Sequence, residues 1–311
     1  MRCASNPFGR AVRRSSSRTS RAVRGRRPRH LRDPRRLRES SLSIRTAVIL
    51  AAGQGSRMRR AAAEATLDAE QAAVAASGVK GMMPFGRPFL EYVISALADA
   101  GITQVVLVIG PTHDIIREHF THAVEPKRVR IRFAVQPEPI GTANAVCVAA
   151  EVVGHEPFLV LNADNYYPVD AYRLLAEQDE AGTVAFDREA LVADGNIDPE
   201  RVRAFAVLDV DSDSTLRGII EKPGDSLSLD DPRARWVGMN VWAITPALVD
   251  ACARVPRSTR GEFELPEAVA LAVREGVRVR AFPLAASVLD LSHRTDVAAV
   301  QNRLSSITPA L

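Results

Sequence analysis

The chain has 311 residues, 46% hydrophobic and 25% charged, which suits one large or two modest globular domains with ample core. No apolar run reaches the roughly 18 residues that a membrane span needs. Cys3, Cys147 and Cys252 lie far apart without metal-ligand spacing and read as free thiols of a reducing, cytoplasmic compartment.

The formal net charge of +4 belongs to one end. Residues 1–43 hold 14 arginines and two acids, Asp33 and Glu39, which leaves 27 basic against 35 acidic residues over 44–311. The body is therefore acidic, which speaks against a nucleic-acid partner. The leader is rich in Ser and Arg and poor in apolar residues, the composition of a disordered segment. It lacks the apolar stretch of a secretory signal. A transit peptide and an anion-binding arm both fit its charge, but the plainest reading is a non-functional extension from a start placed too far upstream. Of the basic residues 38 are Arg; the three lysines are Lys80, Lys127 and Lys222. A chain so biased keeps Lys where a compact ammonium is required.

Residues 46–51 form an apolar run of strand length that ends in a loop of small residues, Ala52-Gly53-Gln54-Gly55-Ser56, followed by Arg57. Glycine lets backbone N–H groups approach an anion, and Arg57 adds a planar charged fork suited to phosphate. Taken alone the pattern equally describes an ordinary strand-to-helix turn. It is not a Walker loop, since no Gly-Lys-Ser/Thr follows. Nor is it a G-x-G-x-x-G fingerprint, since the third position is Met58. The Ala-rich stretch 59–77 predicts a helix ended by Gly78, and 80–85 a loop. The spacing predicts an amphipathic helix over 88–100 capped by Gly101, a strand over 104–109, a short helix over 114–120 and a strand over 129–135. A helix from 140 to 153 and a strand over 158–161 follow. Four strand–helix alternations predict an α/β fold: an open, mainly parallel sheet with helices on both faces and ligands at the strands' carboxyl ends. The sequence beyond is richer in β structure. A hairpin is predicted over 204–209 and 216–220, a strand over 236–244, helices over 246–254 and 266–275, strands over 277–283 and 287–290, and a final helix over 295–304 capped by Thr295. This predicts one domain over 44–311 with a smaller, lid-like β region. His113, His119 and His122 read as surface histidines, because no carboxylate pattern completes a metal site. Trp236 and Trp242 read as core residues on one face of their strand.

Seven short motifs then occur in order. Leu50-Ala51-Ala52-Gly53-Gln54-Gly55-Ser56-Arg57-Met58 resembles the L-A-[AG]-G-x-G-[ST]-R-[LM] signature of sugar-1-phosphate nucleotidyltransferases. Lys80-Gly81-Met82-Met83-Pro84 is similar to that family's P-K-x-[ML]-L-P, and Gln136-Pro137-Glu138-Pro139-Ile140-Gly141-Thr142-Ala143 to its Q-x-x-P-x-G-T-A. Asn162-Ala163-Asp164-Asn165 stands where the family has G-D-N, and Glu221-Lys222-Pro223 matches its E-K-P. The strand W-V-G-M-N-V-W-A-I and Leu289-Asp290-Leu291-Ser292 occupy the places of its sugar-site strand and its late W-x-D-x-G-T.

The resemblance covers about 44–306. It implies a Rossmann-like (GT-A-like) nucleotidyltransferase fold with a β-rich sugar-binding lid. The implied enzyme transfers a nucleotidyl group from an NTP to a sugar 1-phosphate, releasing pyrophosphate and using Mg²⁺. By resemblance, Leu50, Ala52, Gly53, Gln54 and Gly55 cradle the nucleotide, while Arg57, Lys80 and Lys222 serve the phosphates. Gln136, Gly141 and Thr142 lie at the base, and Asn165, Glu221, Gly238 and Asn240 at the sugar. Asp164 and Asp290 hold the metal. Gln136 can offer both a donor and an acceptor to a pyrimidine imide edge, which favours UTP or dTTP. Read without the resemblance, Asp164 is an Asx turn and Glu221-Lys222 a surface ion pair. Three departures stand out: 23 positions separate Arg57 from Lys80 where the family has about ten, Val79 replaces a proline, and Ala163 replaces a glycine. The extra residues are expected to loop out. A non-sugar phosphate acceptor and a catalytically silent regulatory homologue are the alternative functions; the sugar and any homo-oligomer stay open.

Overall fold

The computed structural model describes residues 43–60, 62, 64–224, 227 and 231–311. The expectations for the leader fall outside these residues. Eleven strands are present among the described residues: β1 (Thr46–Leu50), β2 (Gln104–Ile109), β3 (Arg130–Val135), β4 (Phe158–Asn162), β5 (Asn165–Tyr166), β6 (Ala181–Asp187), β7 (Ala206–Val210), β8 (Leu216–Ile220), β9 (Trp236–Ile244), β10 (Val279–Leu284) and β11 (Leu289–Asp290). The helices are α1 (Ser56–Arg59), α2 (Ala69–Ser77), α3 (Phe89–Asp99), α4 (Asp114–Glu118), α5 (Thr142–Val153), α6 (Val169–Ala176), α7 (Arg188–Ala193), α8 (Pro246–Arg254), α9 (Leu265–Arg274) and α10 (Asp296–Leu304). None is long and apolar enough to cross a membrane among the described residues.

The main sheet runs β3-β2-β1-β4-β9-β6-β10. β1 pairs in parallel with β2 and β4, and β2 with β3. β9 is antiparallel to both β4 and β6, whereas β6 and β10 are parallel. The chain moves outward from β1 through β2 to β3, then returns to place β4 on the other side of β1. A crevice therefore opens at the carboxyl ends of β1 and β4, the position where ligands bind such sheets.

Strands buried on both faces read as continuous apolar runs. Ala47 and Ile49 of β1, Val105, Leu107 and Ile109 of β2, and Leu159 and Leu161 of β4 enter one core cluster. Val48, Val106, Val108, Phe158 and Val160 enter the cluster on the opposite face. Full burial of each such side chain is worth roughly 1.5–3 kcal/mol. α5, α8 and α9 supply Val146, Leu248 and Val269 to the second cluster. α3, α6 and α10 supply Leu97, Leu175 and Val300 to the first.

Several expectations change. Among its described residues after α1, the Ala-rich stretch is helical over α2, which starts at a capping box between Asp68 and Gln71 and ends at Gly78. Asp68 can take the first free N–H groups, so it starts the helix there. No element was expected between 165 and 203, yet β6, α6 and α7 occupy it. β6 reads A-G-T-V-A-F-D, and Thr183 is wholly buried because its Oγ1 donates to Val241 O at 2.8 Å. The last strand does not close the main sheet: β11 pairs antiparallel with β5 in a separate two-stranded ribbon. Thr295 makes no side-chain cap on α10. Instead Asp296 accepts from the N–H groups of Ser292 and His293 at 2.8 and 2.7 Å. The predicted hairpin forms as β7 and β8, and β7 extends the sheet along β9.

The histidines are not surface residues as a group. His113 is buried, with Nδ1 3.0 Å from Ala51 O, because α4 starts directly above the end of β1. His119 pairs through Nε2 with the buried Glu91 at 2.8 Å. His122 is exposed, as expected. Trp242 is buried in the second core cluster and Trp236 packs against the same cluster.

Candidate active site

A cavity of about 420 Å³ lies over the carboxyl ends of β1, β3 and β4. Leu50, Ala52, Gly53, Gln54 and Gly55 line one side, Lys80 and Asp164 the floor, and Gln136, Gly141 and Thr142 the far end. Ten of the residues proposed from sequence thus share one cavity. The loop after β1 needs its glycine: Gly55 has φ +60°, and a Cβ there would sit 2.1 Å from Gly78 O. An L-residue with a side chain meets both a conformational and a steric barrier at that point.

Lys80 follows the insertion, yet its Nζ reaches Asp164 Oδ2 at 2.6 Å. Both side chains are largely shielded, at 13% and 22% exposure. An ammonium and a carboxylate thus face each other in the cavity that the glycine loop encloses.

At the far end Gln136 is buried and its Nε2 donates to Gly141 O at 3.0 Å and to Asn144 Oδ1 at 2.9 Å. Gly141 O can only accept, which fixes the amide's orientation. Both donors are spent within the protein. Gln136 therefore presents Oε1 alone, an acceptor, which corrects the expectation that it offers a donor as well. The 258–264 segment closes this end: Phe263 N–H donates to Ile140 O and Ala143 N–H to Phe263 O, each at 2.8 Å.

Asp290 lies outside the cavity lining and is buried. Its Oδ1 accepts from Asn165 Nδ2 at 3.1 Å and Ser292 Oγ at 3.0 Å, and its Oδ2 from Arg201 Nη2. Arg201 also donates to Asp296 at 2.6 Å, and Asn196 brackets the Asp290 backbone with bonds of 2.7 and 2.8 Å. Burial, and then the charge of Asp164, push the Asp290 carboxyl up to about 6. A carboxylate offers about four acceptor positions, so three donors leave about one. Asp164 and Asp290 are two carboxylates in each other's field, and such hard oxygen ligands fit a divalent cation. Among the described residues no group of three or more His, Cys, Asp or Glu side chains is arranged around a metal position.

The other proposed residues are placed elsewhere. Arg57 is exposed on α1 and outside the cavity lining. Asn165 is buried and turned to Asp290, donating from Nδ2 to its Oδ1. Gly238 is covered, since a Cβ there would lie 3.0 Å from Leu208. Asn240 has φ +56° and sits where the β6–β9 register shifts, a bulge pinned by Tyr167 Oη on Met239 O at 2.5 Å. Bulges re-aim side chains beside functional sites. Glu221 is raised by burial, opposed by Lys222, and it feels Glu264 and Arg260. Those two form an ion pair, with Arg260 Nε 2.9 Å from Glu264. Lys222 itself is exposed with φ +44°.

Sequence reasoning missed Ile116, Val79 and Glu262 in the cavity wall, and Arg201 and Asn196 around Asp290. The polar stretch 258–264 carried a detectable signal, a glycine among three charges between two helices. Arg201 carried none, because its partner lies 89 positions away.

Residues 46–291 match the nucleotidyl transferase family. The chain belongs to that family, and its fold and cavity are those of an enzyme that handles a nucleotide at the end of a parallel sheet. It is 28% identical over 263 residues to UTP--glucose-1-phosphate uridylyltransferase AglF of Haloferax volcanii, covering 84% of this chain and 97% of that one. It is 26% identical over 267 residues to a glucose-1-phosphate thymidylyltransferase of Streptomyces griseus, covering 83% of this chain and 65% of the relative. A solved UDP-glucose pyrophosphorylase complexed with UDP-glucose superposes with a TM-score of 0.66 at 15% identity, over 85% of this chain and 100% of that one, a likeness of fold. The chain is a nucleotidyltransferase of the sugar-1-phosphate type.

Proposed function

We propose that residues 44–311 form the catalytic domain and that its nucleotide is UTP or dTTP, joined to a sugar 1-phosphate with release of pyrophosphate. The observation that carries this reading is the single cavity with a glycine loop and Lys80 at one end and a bare acceptor, Gln136 Oε1, at the other. A ring N–H on the base meets that acceptor, and the imide N–H of uracil or thymine supplies one. The triphosphate then lies along the 53–57 loop.

The attacking and receiving phosphates repel, so the protein's work is to hold them in line and neutralise charge. Lys80 leaves Asp164 for phosphate oxygens, at a short reach from where it already stands. Arg57, exposed beside the loop, receives the departing pyrophosphate. Lys222 holds the sugar phosphate, while Glu221 and Asn240 meet sugar hydroxyls. Asp164 and Asp290 are the residues that would hold Mg²⁺, an ion that draws charge off the reacting phosphate when bound.

The test is a panel of UTP, dTTP, GTP, CTP and ATP crossed with sugar 1-phosphates and phospho-alcohols, read by pyrophosphate release and product mass. UTP or dTTP with a sugar 1-phosphate is the expected active pair. Turnover only with a phospho-alcohol, or only with GTP, CTP or ATP, would overturn the reading.

A further inference from the structure

The insertion between Arg57 and Lys80 does not loop away from the site. Its end, Gly78 and Val79, lines the cavity beside Gly55 and Ser56. Arg59 folds back on it: Nε and Nη2 donate to Ser77 O at 3.2 and 2.7 Å. The backbones touch there as well, since a Cβ on Gly78 would lie 2.4 Å from Gln54 O. α2 is itself anchored, because Gln71 Nε2 donates to Pro84 O at 3.2 Å and to Gln301 Oε1 at 3.0 Å. From behind, Arg294 Nε donates to Met58 O at 2.9 Å, at the carboxyl end of α1.

The N–H groups of this wall are already used: Gly78 N–H donates to Val74 O, Val79 N–H to Ser77 Oγ and Lys80 N–H to Gly78 O. The wall therefore offers a ligand no new backbone donors. What it does is hold the left-handed Gly55 in place and fix the point from which Lys80 starts. We infer that Arg59 is a positioning residue for the triphosphate end of the nucleotide, latching the insertion under the 53–57 loop so that loop and Lys80 are set together. This rests on the nucleotide reading above.

Equilibrium binding of UTP, inorganic pyrophosphate and UMP to the full chain tests it. UMP lacks the phosphates that the loop and Lys80 receive. Arg59→Ala should weaken UTP and pyrophosphate about ten-fold, the scale of losing a charge-assisted bond, with UMP affinity unchanged within about two-fold. Arg59→Lys should recover part of the loss, since an ammonium gives one donor where the fork gives two. Gly78→Ala, which drives a methyl into Gln54 O, should show the same selectivity with a larger loss. Wild-type UTP affinity in Arg59→Ala, or equal losses for UTP and UMP, would overturn the inference. If wild-type protein bound neither UTP nor pyrophosphate, the nucleotide reading itself would fall, and the inference with it.

Discussion

Replacing Asp290 by Asn should change how stability depends on pH, not only how much stability there is. The Asp290 carboxyl ionises near 6 in the folded protein against 3.8 for an ordinary aspartate, because it is buried and faces Asp164. A folded acid that holds its proton more tightly than the unfolded one favours folding at low pH. That contribution is complete below 3.8, drains as pH rises, and is lost above about 6. A shift of about two units corresponds to on the order of 3 kcal/mol across that window. Asn keeps the shape and one acceptor but has no charge to strand. The variant should therefore show its largest deficit near pH 4, and the deficit should shrink by on the order of 3 kcal/mol by pH 7.5. Arg201→Met should do the reverse, since the guanidinium is the cation that lowers the Asp290 carboxyl. Removing it makes the neutral-pH loss steeper. Urea unfolding of the three proteins from pH 4 to 7.5, compared as differences, isolates the group from all other titrations. Parallel stability curves for wild type and Asp290→Asn would refute the argument that this carboxylate is strained by its burial and its neighbour.

Asp164→Asn and Asp290→Asn should each lower kcat by roughly 10²-fold, the scale of one preorganised electrostatic contact, and the double variant should fall little further; wild-type turnover and Mg²⁺ dependence in Asp290→Asn would show that the C-terminal motif was misplaced. Lys80→Met should cost kcat on a similar scale, and wild-type kinetics would remove Lys80 from the site. A protein starting at Ser43 should keep the melting temperature and turnover of the full chain, and a large loss in either would give the leader a role. Cleavage by a protease within 69–77 should slow when UTP is added, because that segment ends in the cavity wall; an unchanged rate at saturating nucleotide would separate the segment from the site.

The parallel centre of the sheet was readable because its strands are buried on both faces. An unbroken apolar run such as Val105 to Ile109 has few other fates. The nucleotide end of the site was readable for a related reason: Gly55, Lys80, Gln136 and Asp164 each follow a secondary-structure element in short motifs, and the parallel topology gathers strand ends at one edge. β6 was not readable. Its Gly182 and Thr183 break the apolar run, and Thr183 is tolerated in the core only because Val241 O accepts its hydroxyl. β11 was placed in the wrong sheet, since two residues, Leu289 and Asp290, carry no signal of which edge they join.

Sequence alone determined the family, the order of the motifs, and the alternation that puts Ala47 and Ile49 against one core and Val48 against the other. Those features are local: side-chain size, polarity and spacing set them within a few residues. Only the tertiary structure decided that Gln136 spends both its donors on Gly141 and Asn144, that Arg201 bridges Asp290 and Asp296, and that the insertion returns beneath the phosphate loop through Arg59. Each depends on where a polar group's partner ends up in space. A buried amide, carboxylate or guanidinium must find a partner, but which one it finds is set by the packing of elements that are far apart in the sequence.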